Sequence, residues 1–188
     1  MKVLVGMSAS FCNIKPVLDE LVKMNYDFQF VCSPTLYTQD SRFISNSDFL
    51  EKVKLNTKHE ILYTIHQTEL LTFDDDIQGM ILAPCTANTL AKLVNGIYDN
   101  GLLLACKVML RNHKPIVIGF ASNDGLGIGA MNIAKALQMK NIYFVPFGQD
   151  NYLHKENSLV CDWSQMNATF LSALEHKQLQ PILVKEKR

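Results

Sequence analysis

Nothing in this sequence pulls it toward a polyanion. Its 18 Lys+Arg balance 18 Asp+Glu, and a chain without net charge has no field to draw it to nucleic acid or to an anionic membrane surface. It has no unbroken apolar run of the roughly 20 residues that a membrane-crossing helix needs. The core of a secretory leader is missing too, because Met1-Lys2 runs straight into Val3-Leu4-Val5 and then Gly6. The five cysteines (Cys12, Cys32, Cys85, Cys106, Cys161) include no CxxC pair and no Cys/His cluster at zinc-ligand spacing. A soluble cytoplasmic protein with reduced thiols is therefore expected, with small molecules or other proteins as its partners. Internal repeats, low-complexity segments and linkers are also lacking. At 188 residues the chain has the size of one domain spanning 1–188, large enough to fold without disulfide or metal staples.

Five short apolar runs are present: Lys2 to Val5, Phe28 to Cys32, Ile77 to Ala83, Ile116 to Ala121 and Ile142 to Val145. They are continuous rather than alternating, the pattern of strands covered on both faces, hence of a parallel sheet between helices. Between them lie helical stretches from Ile14 to Val22, Thr86 to Val94, Gly101 to Asn112 and Ala130 to Met139, with a last amphipathic one from Met166 to His176. The β-α-β alternation predicts a doubly wound α/β fold with helices on both faces of the sheet. Ser33 to Glu60 is the least patterned stretch and reads as an exposed excursion. Pro146 to Asn151 reads as a loop. Asp74-Asp75-Asp76 is either a metal site or a solvated turn before a buried strand, and the turn is the expectation, with no metal.

In a doubly wound sheet ligands bind outside the carboxyl ends of the strands, so the residues that follow each apolar run carry the functional information. After the first run comes Gly6-Met7-Ser8-Ala9-Ser10-Phe11, where Gly6 permits a tight turn and Ser8 and Ser10 offer hydroxyls beside a helix N-terminus. Such a terminus suits a phosphate, though serines also cap helices. The loop is not the GxGxxG of dinucleotide sites. After the third run, Pro84 stops the strand and Thr86, Asn88 and Thr89 place three hydrogen-bonding side chains in the first helical turn, which is either a ligand cradle or an elaborate cap. After the fourth, Gly125, Gly127 and Gly129 allow a backbone to come close to something. Asn132 is either a cap or a substrate-contacting amide. Cys85 and Cys106 read as buried small apolar residues rather than nucleophiles. The helix from Gly101 to Leu110 is apolar almost all round and must be covered on every side, by its own chain or by another copy.

These residues resemble a known family. Pro84-Cys85-Thr86-Ala87-Asn88-Thr89-Leu90-Ala91-Lys92-Leu93 is similar to the signature loop of the FMN-dependent flavoproteins related to cysteine decarboxylases, and Gly129-Ala130-Met131-Asn132 resembles their Pro-Ala-Met-Asn motif. Further segments resemble the second, flavoprotein subunits of dipicolinate synthases: Asp40 to Phe43, Lys107 to Asn112, Ser122 to Gly127, Asn141 to Asp150 and Gln178 to Pro181. The resemblance implies a Rossmann- or flavodoxin-like sheet and FMN as the cofactor. It implies Gly6, Ser8, Ala9, Ser10, Ser33, Thr86, Ala87, Asn88, Thr89, Ser122 and Ala130 as cofactor-binding residues, and Asn132 as the residue that meets substrate beside the flavin.

The same resemblance implies one subunit of a flavin-dependent oxidoreductase that acts on a dihydropyridine dicarboxylate, with a dehydrogenase-like partner subunit. It also implies a homo-oligomer with the flavin near an interface between copies. The decarboxylases carry a histidine shortly before the third strand, whereas this sequence has Glu69 near that place and His66 a few residues earlier. Glu69 is thus the second catalytic candidate, and His66 is expected to point to another face. The competing functions are a flavin-dependent decarboxylase and a non-catalytic flavin-binding or assembly subunit. Lys107 and Arg111, i and i+4 on one helix, could meet a dicarboxylate, or form a solvated face or a contact between copies.

Overall fold

The computed structural model describes residues 1–184. The chain alternates as expected: β1 Lys2–Met7, α1 Ile14–Leu21, β2 Asp27–Cys32, α2 Pro34–Thr38, α3 Asn46–Lys54, α4 Ile65–Glu69, β3 Ile77–Cys85, α5 Ala87–Val94, α6 Gly101–Arg111, β4 Ile116–Ser122, α7 Gly129–Leu137, β5 Ile142–Phe144, β6 Phe147–Gly148, β7 Leu159–Cys161 and α8 Met166–Leu174. The strands form one seven-stranded sheet in the order β2-β1-β3-β4-β7-β6, with β5 also on β4. β4 is shared along its length: its first half pairs in parallel with β5 (Val117 opposite Tyr143), and its end pairs antiparallel with β7 (Ala121 opposite Val160). β1, β2, β3 and β4 run parallel.

Burial on both faces explains the continuous apolar runs. Val3, Leu4 and Val5 of β1, Phe30 of β2, Ile81 and Leu82 of β3, and Val117, Ile118 and Phe120 of β4 are all fully buried. Each such side chain contributes roughly 1.5–3 kcal/mol through its removal from water. α1 turns Ile14, Val17, Leu18 and Leu21 onto the sheet, with Pro16 in a first turn where its missing N–H breaks no bond. α6 buries Leu102, Leu103, Ala105, Cys106, Val108 and Met109 against the sheet and α4. Its near-uniform apolarity is thus satisfied within one chain.

Several expectations need correction. β3 continues through Pro84 to Cys85, and its pairing with β4 shifts register between Leu82 and Cys85, because a proline has no N–H to give the ladder. Gly6 lies inside β1 rather than at a turn. The stretch 33–60 holds two helices: Ser33 and Ser45 cap α2 and α3 through the N–H groups of Leu36 and Asp48, and Phe49 and Val53 of α3 are buried. The chain then runs alongside β2, Leu62 N–H donating to the Phe30 carbonyl at 2.9 Å and Cys32 N–H to the Leu62 carbonyl at 2.8 Å. That covers an edge which would otherwise be open to pairing. The loop 146–151 contains β6, and β6 with β7 extends the sheet past β4. Asp74 of the acidic run forms an ion pair with Lys2, while the carbonyls of Asp74 and Asp75 accept from Lys114 Nζ at 3.4 and 3.3 Å.

Candidate functional site

From β1 the chain first adds β2 on one side and later β3 on the other, so strand order reverses between β1 and β3. The crevice outside the carboxyl ends of those two strands is where ligands bind in such sheets, and flavodoxin-like folds with this order hold FMN there. Two loops line it, residues 8–13 after β1 and residues 86–89 at the head of α5.

The two loops are bonded to each other. Ser8 N–H and the Ser8 hydroxyl both donate to the Pro84 carbonyl, at 3.0 and 2.8 Å, and Ser8 Oγ accepts from Thr86 N–H at 2.9 Å. Ser8 is 1% exposed. Thr86 caps α5, its Oγ1 accepting from Thr89 N–H at 3.3 Å and donating to Thr89 Oγ1 at 3.0 Å. β2 joins the cluster through Ser33, whose N–H donates to the Met7 carbonyl at 2.9 Å.

A set of donors is left over among the described residues. Ser10 Oγ accepts from Asn13 Nδ2 at 2.8 Å and Ser33 Oγ from Leu36 N–H at 3.4 Å, so each hydroxyl keeps its proton for a ligand. The N–H groups of Ala87 and Asn88, in the first turn of α5, have no intrahelical acceptor, and Asn88 is exposed with its amide unbonded. Ala9 and Ala87 are half-buried small side chains that leave room. No acidic residue stands in either loop. Neutral donors at a helix N-terminus, without a carboxylate, fit a phosphate and the polar edge of a flat ring.

Gly6 does not face this crevice. A Cβ there would lie 2.3 Å from Met80 Cε and 2.8 Å from Leu102 Cδ1, so the glycine makes room for core side chains. The glycines after β4 are also internal: Gly125 lies against Leu159, and Gly127 and Gly129 against Asp124. What the loop approaches is itself and the β6–β7 hairpin, whose Asn157 carbonyl accepts from Leu126 N–H at 2.9 Å. Ser122 Oγ accepts from Asp124 N–H at 3.0 Å. Ala130 and Asn132 follow at the start of α7, both half-buried, and the Asn132 amide makes no hydrogen bond among the described residues. Asp124, exposed and packed against Gly127 and Gly129, is a charged group in this loop that the sequence did not single out.

Glu69 and His66 are both exposed on α4. They are three residues apart in one helix and so share a face, about 4.5 Å apart along the axis. The offset between them does not turn the histidine to another face. Thr64, which caps α4 in a capping box with Gln67, sits level with the end of β2, so His66 lies nearer the strand ends than Glu69. Lys107 sits over the Tyr98 ring at 5.4 Å, while Arg111 ends α6 shortly before β4 begins, toward the amino ends of the strands and away from the crevice. Burial pushes the Cys106 thiol up to about 12, and those of Cys32, Cys85 and Cys161 also well up. None is a thiolate at neutral pH.

A cavity of about 620 Å³ opens elsewhere, between α1 and the β6–β7 hairpin, lined by Pro16, Asp19, Gly148 and Trp163 among others. It shares no residue with the loops after β1 and β3, and the donor geometry favours the crevice.

Residues 1–168 match the Flavoprotein family. The chain is 34% identical to the second subunit of dipicolinate synthase of Bacillus subtilis over 182 residues, 95% of this chain and 91% of that protein. The crystal structure of the corresponding dipicolinate synthase subunit from Bacillus halodurans superposes with a TM-score of 0.86 at 33% identity, covering 98% of this chain and 96% of that one. A dodecameric FMN-dependent UbiX-like decarboxylase from Escherichia coli O157:H7 shares the fold, with a TM-score of 0.61 at 22% identity over 78% of this chain and 80% of its own.

Proposed function

The chain belongs to the Flavoprotein family, and from that premise we propose that it binds FMN in the β1–β3 crevice and serves, as the flavoprotein subunit of a dipicolinate synthase, in the oxidation of a dihydropyridine dicarboxylate to dipicolinate. The observation that carries the cofactor assignment is the donor set: the Ser10 and Ser33 hydroxyls and the Ala87 and Asn88 N–H groups follow the carboxyl ends of β1, β2 and β3, where the strand order reverses, with no acidic side chain in either crevice loop. Likeness to the second dipicolinate synthase subunit, over 95% of the chain, supports the reaction.

Bound FMN would take up the two electrons released when a dihydropyridine ring becomes aromatic. In this reading Ser10 and the first turn of α5 hold the phosphate, and Ser33, Thr89 and Ser122 meet polar edges of the cofactor. Ala9, Ala87 and Ala130 leave it space. In this reading Asn132 orients the substrate with its free amide, and Glu69 takes a proton. The reading includes a dehydrogenase-like partner subunit.

It also includes a homo-oligomer. Because α6 is covered within the chain, the support for it is the apolar cluster before and within α7, where Leu126, Ile128 and Met131 are 48, 80 and 75% exposed.

A second reading, a flavin-dependent decarboxylase, is favoured by His66 sharing a face of α4 with Glu69. One experiment separates the two. Purified protein, loaded with FMN and supplied with the dehydrogenase-like partner, is offered a dihydropyridine dicarboxylate and, separately, cysteine-ended peptides. Flavin reduction by the former with no carbon dioxide from the latter is expected. Release of FAD or a nicotinamide nucleotide on denaturation, or turnover of the peptides, would overturn the proposal.

A further inference from the structure

We propose that Ser8 is a positioning residue that locks the two walls of the crevice together, and that Ser10 alone of the first-loop serines reaches the ligand; this rests on the reading of the crevice as the flavin site. A serine hydroxyl has one proton to donate and two lone pairs to accept with. The proton of Ser8 goes to the Pro84 carbonyl at 2.8 Å, and a lone pair takes Thr86 N–H at 2.9 Å. Its backbone is equally committed, the N–H to Pro84 at 3.0 Å and the carbonyl to Ser10 N–H at 2.7 Å. At 1% exposure nothing from solvent can reach the remaining lone pair.

The consequence passes along the chain. Thr86 N–H is held by Ser8, and Thr86 Oγ1 in turn holds Thr89 N–H. The capping residue and the first turn of α5 are thereby fixed to the end of β1, and the direction in which Ala87 and Asn88 aim their N–H groups is set before any ligand arrives. Ser8 preorganises a helix N-terminus on the neighbouring strand. Ser10, half-exposed and bonded only as an acceptor through its side chain, retains a proton that a phosphate oxygen can accept.

The test uses amide hydrogen exchange on the flavin-free protein together with the binding of FMN and of riboflavin, which lacks the phosphate. Ser8→Ala leaves Thr86 N–H without a partner and the Pro84 carbonyl with only the backbone N–H of residue 8. Exchange at the Thr86 and Thr89 amides should rise about tenfold, and affinity for both flavins should fall together by about tenfold, the size expected for a buried hydrogen bond lost. Ser8→Cys, nearly isosteric with a weaker hydrogen-bonding group, should fall between, and it carries the test if the alanine variant does not fold. Ser10→Ala should leave exchange unchanged and weaken FMN more than riboflavin. A Ser8→Ala protein that loses FMN affinity while the Thr86 and Thr89 amides exchange as in the parent would make Ser8 a direct ligand and overturn the proposal, as would one in which neither quantity moves. If the parent protein binds no flavin, the flavin reading fails, and the exchange measurement still decides whether Ser8 ties the loops.

Discussion

The loops after β1 and β4 end parallel strands of one sheet and are built differently. The loop after β1 bonds outward: Ser8 to β3 and the head of α5, and Met7 to Ser33 after β2. The loop after β4 bonds mostly to itself, with Asp124 N–H on Ser122 Oγ and Ala130 N–H on the Gly127 carbonyl, and reaches beyond itself to the β6–β7 hairpin. The first presents a fixed set of donors. The second presents exposed apolar side chains, Ile128 and Met131, and one unbonded amide, Asn132. Gly6 within β1 and the glycines of the β4 loop alike remove a Cβ from a crowded place, and neither marks where a ligand lies.

The comparison is tested hardest at Gly6. Alanine there places a Cβ 2.3 Å from Met80 Cε, 2.8 Å from Leu102 Cδ1 and 3.0 Å from Leu82 Cδ1, all in the core between the sheet and α6. None of those side chains can leave without opening a void, so overpacking should destabilise the protein by about 1–3 kcal/mol. Chemical denaturation of Gly6→Ala should show the midpoint falling with an unchanged slope. An unaltered midpoint would mean that the end of β1 is loosely packed, and the contrast between the loops would lose its firmer half.

Much of this architecture was legible beforehand, for a physical reason. Strands buried on both faces, such as Val3 to Val5 and Ile116 to Ala121, must be continuously apolar, and the turns that follow must be polar, so the five parallel strands and the loops at their carboxyl ends could be placed, though not the strand order that locates the crevice. What escaped notice had weak local signals. α3 buries only Phe49 and Val53, too few to set a period, and α4 is five residues long, although Thr64 with Gln67 is a capping box that sequence alone displays. β6 and β7 are too short for any pattern and exist because β4 offers them an edge. The commitment of Ser8 to Pro84 and Thr86 joins residues 76 and 78 apart, and no spacing rule reports such a contact.

A middle-sized effect is expected where the β4 loop leads into α7. Asn132 lies beyond the self-bonded segment with its amide free, so Asn132→Ala should lower turnover by about tenfold, the value of one hydrogen bond to substrate. FMN affinity should change by less than about threefold, since the donors proposed for the phosphate lie after β1 and at the head of α5. His66→Ala, on α4, should leave both within about twofold. Full turnover by Asn132→Ala would remove the substrate role from the β4 side, and loss of turnover in His66→Ala would move the proton-taking role on α4 from Glu69 to His66.

The smallest effect belongs to Gly127, and it sharpens the comparison because the local crowding looks worse than at Gly6. An alanine Cβ would stand 2.0 Å from Asp124 Oδ1, a shorter approach than any at Gly6. Yet that oxygen is the end of an exposed side chain with no bonded partner among the described residues, and a turn about its own dihedral angles clears the space. Gly127 does not have the positive φ that would penalise a side chain. Gly127→Ala should therefore shift stability by no more than about 0.5 kcal/mol, and combining it with Asp124→Ala should bring the shift to zero. If Gly127→Ala instead costs as much as Gly6→Ala, the Asp124 carboxylate is held in place by more than its own loop. The end of β4 would then be as preorganised as the end of β1, and Asp124 would become the next residue to test for a role in turnover.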